Sequence, residues 1–380
     1  GRNYSQEYSH SQALPERTRA QARKSRRCIS FVWLKGQIQK GRGFGLALFV
    51  CRIQTMTFKP RILSVAPMID WTDRHCRRFH RAISQHTWLY TEMITTGALV
   101  FGDRKRFLAF NEEEHPVAFQ IGGSDPVHMA QCAKWIEEAG YDELNMNVGC
   151  PSERVQKGSF GACLMAEPDL VADCVKAMRD ACSIDVTVKH RIGLDYDESE
   201  TILYDFVGKV SEAGCNTFIV HARNAVLKGL SPKENRDIPP LRYEVVKRLK
   251  QHFPHLQIIL NGGITTLESI QTHLEWADGC MIGREAYSNP WLLAGFDEII
   301  GQPIRPKTRL DVIDELRAYA EQELRKGESI RSITKSWLGL FHGQAGGRLY
   351  RQVLSDSTRL KANNWQVVED ALAMMLKHAA

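Results

Sequence analysis

Between Ile62 and Ile282 the chain alternates eight short apolar runs with amphipathic stretches long enough for helices. The runs are Ile62–Ala66, Trp88–Met93, Val117–Ile121, Glu143–Asn147, Asp185–His190, Thr217–His221, Gln257–Asn261 and Gly279–Ile282. Runs this short and this apolar suit strands buried on both faces. Between them, Pro126–Ala139, Pro168–Cys182, Glu198–Ala213, Leu241–Gln251 and Leu267–Trp276 carry apolar residues at helical spacing. Strand followed by helix, repeated, requires parallel strands joined by helical crossovers. Eight such units in roughly 240 residues match one (β/α)8 TIM barrel, whereas a doubly wound sheet usually stops at fewer strands. The predicted fold class is therefore α/β, with a single barrel at its centre.

After Pro303 and Pro306 the pattern changes. Leu310–Arg325, Ile330–Phe341, Gly347–Leu354 and Trp365–Lys377 read as helices, with no strand-like run among them. The expected organisation is an N-terminal extension over residues 1–55, a catalytic barrel over 56–303 and an all-helical domain over 304–380. The extension shows no sustained period and reads as sequence upstream of a natural start at Met56. Its basic, acid-poor composition resembles a transit peptide, but its apolar stretch Phe44–Cys51 lies too deep in the chain for a signal core.

The chain holds 50 Lys and Arg against 44 Asp and Glu, but residues 1–55 account for 11 of the former and 2 of the latter. The body is thus mildly acidic, and its positive charge gathers in residues 302–364, with 12 basic and 7 acidic groups. A polyanion is expected to dock there, on the helical domain. No run approaches the roughly 18 to 20 apolar residues that span a bilayer, which excludes a membrane helix. The ten cysteines include no Cys-x-x-Cys and the thirteen histidines no His-Glu-x-x-His, so no metal and no disulfide framework is expected. A reducing, cytoplasmic setting fits this cysteine usage, and the expected working unit is a monomer.

Barrel chemistry sits where strands end. Asn261-Gly262-Gly263 after the seventh run leads into a helix expected to open at Ile264-Thr265-Thr266, and Gly283-Arg284 follows the eighth. Glycines there let backbone N–H groups approach an anion, and this is the usual phosphate position of a barrel. Gln120, Asn145, Lys189 and His221, also at strand ends, form a donor-rich ring suited to the polar edge of a planar heterocycle. Lys189 is placed to stabilise negative charge on a reduced isoalloxazine. Cys150 lies between Gly149 and Pro151 on a constrained turn, where a thiol can act as general acid or as nucleophile.

Together these motifs resemble the tRNA-dihydrouridine synthases, flavoproteins of the barrel class. The resemblance covers about residues 60–365. It rests on Ala66-Pro67-Met68, Asn145-Met146-Asn147-Val148-Gly149-Cys150-Pro151, Lys189-His190-Arg191, His221-Ala222-Arg223, Asn261-Gly262-Gly263 and Gly283-Arg284, in the family's order. Gln156–Ala162 and Gly229–Arg236 are most similar to the A-type bacterial branch, which points to uridines 20 and 20a of the tRNA D-loop.

The resemblance implies FMN held by Pro67, Met68 and Ile69 along one ring edge, by Gln120, Asn145, Lys189 and His221 around the heterocycle, and by Asn261, Gly262, Gly263, Gly283 and Arg284 at the phosphate. It implies a hydride from the flavin to C6 of uridine, a proton from Cys150 to C5, and NADPH as electron donor. A base inside folded RNA must be extruded to reach a barrel mouth, and phosphate contacts elsewhere offset that cost. Arg348 and Arg351 are the expected tRNA contacts on the helical domain, with Asn147 and Arg223 nearer the uracil. The rival expectation is a flavin barrel acting on a free pyrimidine, of the dihydroorotate or dihydropyrimidine dehydrogenase type.

Overall fold

Eight parallel strands, β1 (Leu63–Val65), β2 (Leu89–Thr95), β3 (Val117–Gly122), β4 (Glu143–Val148), β5 (Asp185–Arg191), β6 (Thr217–His221), β7 (Gln257–Asn261) and β8 (Gly279–Ile282), pair each with the next, and β8 returns to β1. The ring closes between β1 and β2 at a bridge of Ser64 with Trp88, where Val65 N–H donates to Trp88 O at 2.9 Å and Trp88 N–H to Leu63 O at 3.0 Å. The structure, a computed structural model, describes residues 62–302 and 307–379. The expected extension over 1–55 and the boundary at 303 lie outside the described residues.

Strand side chains alternate in direction, so each strand feeds two cores. Ala66, Trp88, Tyr90, Ala118, Ile219, Ile259 and Met281 fill the barrel interior. Residues of the other parity, such as Phe119, Leu144, Val188, Phe218 and Leu260, pack outward with the helical layer. Burying one such side chain contributes about 1.5–3 kcal/mol, which is why the strands read as unbroken apolar runs.

Helix starts follow the local capping chemistry. Asp73 accepts from the backbone N–H groups of His75 and Cys76 to open Arg74–Ile83, and Asp125 does the same for Pro126–Glu138, with Pro126 in its first turn. The helix after β7 opens at Leu267, where the Leu267–Trp276 pattern begins, and Thr266 at the end of the Ile264-Thr265-Thr266 lead-in takes the capping position in a reciprocal box with Ser269. Ile330–Phe341, expected as one helix, divides into an α-helix at Ile330–Thr334 and a 3-10 turn at Lys335–Gly339. Gly339 there lies so close to the Ser288 carbonyl that a Cβ would stand 2.4 Å from it.

Arg74–Ile83 shows no clean apolar face because its buried side carries Arg77, paired with Glu114, and Arg81, bonded to the carbonyls of Ser84, Thr87 and Glu114. The C-terminal helices pack on this helix. Phe79 stacks near Trp337 with centroids 6.0 Å apart, His75 Nδ1 meets Tyr319 OH at 2.6 Å, and Lys307 Nζ donates to Ala82 O at 3.0 Å. No described helix is long and apolar enough to cross a membrane.

Candidate active site

On β3 to β7 the inward polar residues toward the C-terminal ends are Gln120, Asn145, Asn147, Lys189, Arg191, His221 and Asn261. The register sets Gln120 beside Asn145, Asn147 beside Lys189, and His221 beside Asn261. Asn145 is fully buried. Its Oδ1 accepts from Gln120 Nε2 at 2.7 Å and its Nδ2 donates to Thr187 Oγ1 at 2.8 Å. Thr187 donates in turn to Glu143, which also accepts from Tyr90 OH at 2.8 Å. Asn145 therefore has both amide atoms engaged below the mouth, where it orients Gln120.

Gln120 Oε1 accepts from Asn147 Nδ2 at 2.8 Å. The Asn147 Oδ1 accepts from the backbone N–H groups of Gly149 and Cys150, each at 3.1 Å. A chain of amides thus runs from the barrel floor to the Cys150 turn. From the other side the Cys150 carbonyl accepts from Ala162 N–H at 2.9 Å, and Gly161, at φ +81°, passes so near that a Cβ would lie 2.6 Å from that carbonyl oxygen. Gln156 Nε2 donates to the carbonyls of Pro151 and Leu227, at 2.8 Å each, tying the turn to the loop after β6. The Cys150 thiol is free and half-buried. Its position is set by backbone contacts, so the side chain is available for chemistry.

Lys189 Nζ donates to Asn261 Oδ1 at 3.1 Å, and Asn261 Nδ2 donates to Met281 O at 2.7 Å. Burial, aided by Arg191, brings the Lys189 ammonium down to about 7. Burial likewise holds His221 well below the usual imidazole range, with Arg191, Lys189, Arg223 and Arg236 adding to the effect, so its ring is neutral. The His221 Nδ1 is buried without a hydrogen-bond partner. His190 points the other way, between Phe206 and Phe218, with Nδ1 against the Arg191 carbonyl at 2.6 Å. Burial takes it to about 4, the state of a neutral core histidine.

Gly262 and Gly263 have φ of +113° and +71°, and a Cβ on Gly263 would lie 2.4 Å from Leu241. Glycine adopts this backbone without the strain another residue would bear. A Cβ on Gly283 would meet nothing within 4 Å, so its backbone borders open space. Arg284, next to it, is paired with Asp237 at 2.8 Å. Pro67, Met68 and Ile69 form the turn after β1, closed by Thr72 Oγ1, which accepts from Met68 N–H at 2.9 Å. Ile69 is 54% exposed, a bare apolar side chain beside this turn. The turn ends at Asp70, at φ +65°, whose N–H donates to Glu92. Its carbonyl accepts from Lys335 Nζ at 2.8 Å, and the same ammonium pairs with Asp73 at 2.8 Å.

Arg223 donates to the carbonyls of Pro239 and Asp237. Arg348 and Arg351 are exposed on the helix Gly347–Ser355, and neither has an ion pair among the described residues. Sequence reasoning passed over Arg191 as a separate group. It is 5% exposed and donates to the carbonyls of Gly149 at 3.1 Å, Asn224 at 3.2 Å and Asn235 at 3.0 Å, drawing three loops together. Its spacing of two from Lys189 was the available signal, since that spacing places both on one strand face.

A closed parallel barrel with a lysine, a neutral imidazole, a glycine-lined end and a thiol turn at its mouth defines a cofactor-binding (β/α)8 enzyme. Residues 64–376 match the family model described as Dihydrouridine synthase (Dus). A curated tRNA-dihydrouridine(20/20a) synthase of Pseudomonas aeruginosa is 56% identical over 316 residues, covering 83% of this chain and 95% of the relative. Relatives of the same name from Vibrio parahaemolyticus and Escherichia coli (strain K12) are each 54% identical, covering 83% and 82% of this chain and 97% and 91% of their own lengths. The chain belongs to the dihydrouridine synthase family, whose enzymes are flavin-dependent oxidoreductases.

Proposed function

We propose that this protein reduces the C5=C6 bond of uridine to 5,6-dihydrouridine in tRNA, at positions 20 and 20a, with FMN as cofactor and NADPH as electron donor. The observation that carries this reading is the braced Cys150 turn beside a ring of polar groups whose donors are not all used within the chain. The residues fit a flavin mononucleotide. His221 has an orphaned buried nitrogen, Lys189 uses one of its three N–H donors, and the Gly283 backbone faces open space. Bound flavin supplies the hydride chemistry.

The chain's own residues do the rest. Pro67, Met68 and Ile69 would cover one ring edge, Gln120, Lys189 and His221 would meet the polar edge, and Asn261, Gly262, Gly263, Gly283 and Arg284 would hold the phosphate. Asn145 supports Gln120 from below. Cys150 would deliver the proton to C5, while Asn147 and Arg223 would orient the uracil. The helical region, residues 304–380, would bind tRNA through Arg348 and Arg351. A reductase of a free pyrimidine is disfavoured, because the family match runs through these helices to residue 376.

The working form in this reading is a cytoplasmic monomer that needs no metal. Among the described residues the one convergence of ligand-type atoms, His75 with Glu323 and Glu328, already holds Arg74, and Lys326 pairs with Glu323 at 2.8 Å. The protein is expected to purify yellow with one noncovalent FMN, and to oxidise NADPH in step with dihydrouridine appearing in an unmodified tRNA. A colourless preparation that FMN cannot reconstitute would sink the reading.

A second expectation concerns the helical region. Changing Arg348 and Arg351 to Ala should weaken tRNA binding and lower its salt slope by about one per residue, since each phosphate contact releases counterions. Equal slopes for variant and wild type, measured by direct titration, remove both arginines from the interface.

A further inference from the structure

A carboxylate lies at the bottom of the polar ring, away from the reacting end. Glu143 is the first residue of β4, whereas Asn147 and the Cys150 turn stand at the far end of the same strand. The Glu143 Oε1 accepts from Tyr90 OH at 2.8 Å and from the Thr187 hydroxyl, and all three side chains are buried. A carboxylate is costly to bury, and an apolar side chain would fill this place as well, so its presence calls for a role beyond packing.

The hydrogen bonds that start at Glu143 keep one sense throughout. An ionised carboxylate only accepts, so the Thr187 hydroxyl commits its single proton to Glu143 and turns a lone pair to Asn145 Nδ2, at 2.8 Å. Asn145 then has its Oδ1 toward Gln120 and accepts from Gln120 Nε2 at 2.7 Å. Gln120 Oε1 accepts from Asn147 Nδ2 at 2.8 Å, and Asn147 Oδ1 accepts from the Gly149 and Cys150 N–H groups. Backbone N–H groups only donate, so the upper end demands the same sense that the carboxylate imposes from below. An amide nitrogen carries two N–H groups, so Gln120 Nε2 and Asn147 Nδ2 keep one each that no described residue accepts. Reversing the sense would exchange the places of these spare N–H groups and of the spare oxygen lone pairs. It would also set the Asn147 amide nitrogen against the N–H groups of the Cys150 turn.

We infer that Glu143 is a positioning residue: acting through Thr187 and Asn145, it fixes the amide sense of Gln120 and Asn147, so that the pocket meets a planar heterocycle with N–H donors along this side. The inference rests on the flavin-dependent reading of the pocket for its ligand, and on the hydrogen bonds alone for the relay. It gives the barrel floor a part in the reaction without contact to cofactor or substrate.

The test uses the full-length protein with Thr187→Val, which removes the hydroxyl, Thr187→Ser, which keeps it, and Glu143→Gln, whose amide can also donate and so frees the Thr187 proton to turn. Thr187→Val should bind FMN roughly tenfold more weakly, the effect of one lost hydrogen bond at the ligand, and Thr187→Ser should restore the affinity. Glu143→Gln should shift it in the same direction by less. In a Gln120→Ala background Thr187→Val should weaken FMN binding no further, because the relay reaches the flavin through Gln120. A loss of packing alone would act independently in the two backgrounds. A second measurement needs no flavin. The side-chain N–H signals of Asn147, assigned by their absence from Asn147→Ala, are followed by hydrogen exchange in protein carrying isotope-labelled asparagine. Asn147 stands three hydrogen bonds from Thr187, yet its exchange should quicken in both Thr187→Val and Glu143→Gln. Unchanged exchange at Asn147, or independent effects on FMN affinity, overturns the inference. If Thr187→Val does not fold, Asn147 exchange in Glu143→Gln decides. Wild-type protein that binds no FMN fails the flavin reading, while exchange in the flavin-free protein still decides the relay.

Discussion

Cys150→Ala should retain its flavin and accept electrons from NADPH, yet pass them to tRNA about 10² to 10⁴ times more slowly, the usual contribution of a positioned general acid. The variant is informative because the turn does not depend on the thiol. Asn147 Oδ1 holds the N–H groups of Gly149 and Cys150, and Ala162 holds the Cys150 carbonyl, all through backbone atoms. Loss of the side chain thus removes a proton source and leaves the scaffold standing. Cys150→Ser should recover part of the rate at most, since a hydroxyl fits the place but is a far weaker acid. Single-turnover oxidation of pre-reduced enzyme by unmodified tRNA is the measurement. Reoxidation of the Ala variant at the wild-type rate, with dihydrouridine formed, would transfer the proton to another group.

Lys189→Met should slow the opposite half of the cycle, flavin reduction by NADPH, by about 10² to 10³, the scale for removing one preorganised donor from developing negative charge. A pH signature accompanies it. Without flavin the Lys189 ammonium loses its proton near pH 7, under burial and Arg191, with neutral His221 on the neighbouring strand. An anionic ligand against Nζ raises that value, so binding takes up a proton above pH 7. Affinity for reduced flavin is then greatest below pH 7 and declines above it, by up to about tenfold per pH unit for one coupled proton. The Met variant should lose this slope. An equal slope in both proteins, read by equilibrium dialysis under reducing conditions, would place the titrating group elsewhere.

The strand ends were legible because period two, glycine and isolated polar residues survive in any sequence that makes a barrel. Lys189, His221, Asn261 and the glycines stand at the mouth for that reason. Depth within the barrel was not legible. Asn145 and Asn147 share a face and differ by two residues, roughly 6.6 Å along a strand, and that step separates a buried support from a residue at the mouth. Long-range clasps were equally hidden. Arg191 reaching Asn235, or Lys335 reaching Asp70, joins residues whose proximity exists only after folding. The helix Arg74–Ile83 escaped notice because its buried arginines look like a solvated face until Glu114 and the carbonyls around Arg81 are in place.

Lys335 gives the architecture a consequence for modular exchange. Its ammonium, delivered from the C-terminal helices, holds the Asp70 carbonyl and Asp73, while its own carbonyl accepts from Tyr287, whose ring stacks on Trp71 at 4.4 Å. The turn after β1 is therefore completed by a part of the chain more than 260 residues away. A chimera that grafts a foreign helical region onto this barrel, to redirect it to another RNA, inherits whatever stands at that position and so remakes the rim of its own pocket. The graft boundary has to travel with the lysine, or the lysine has to be rebuilt in the graft.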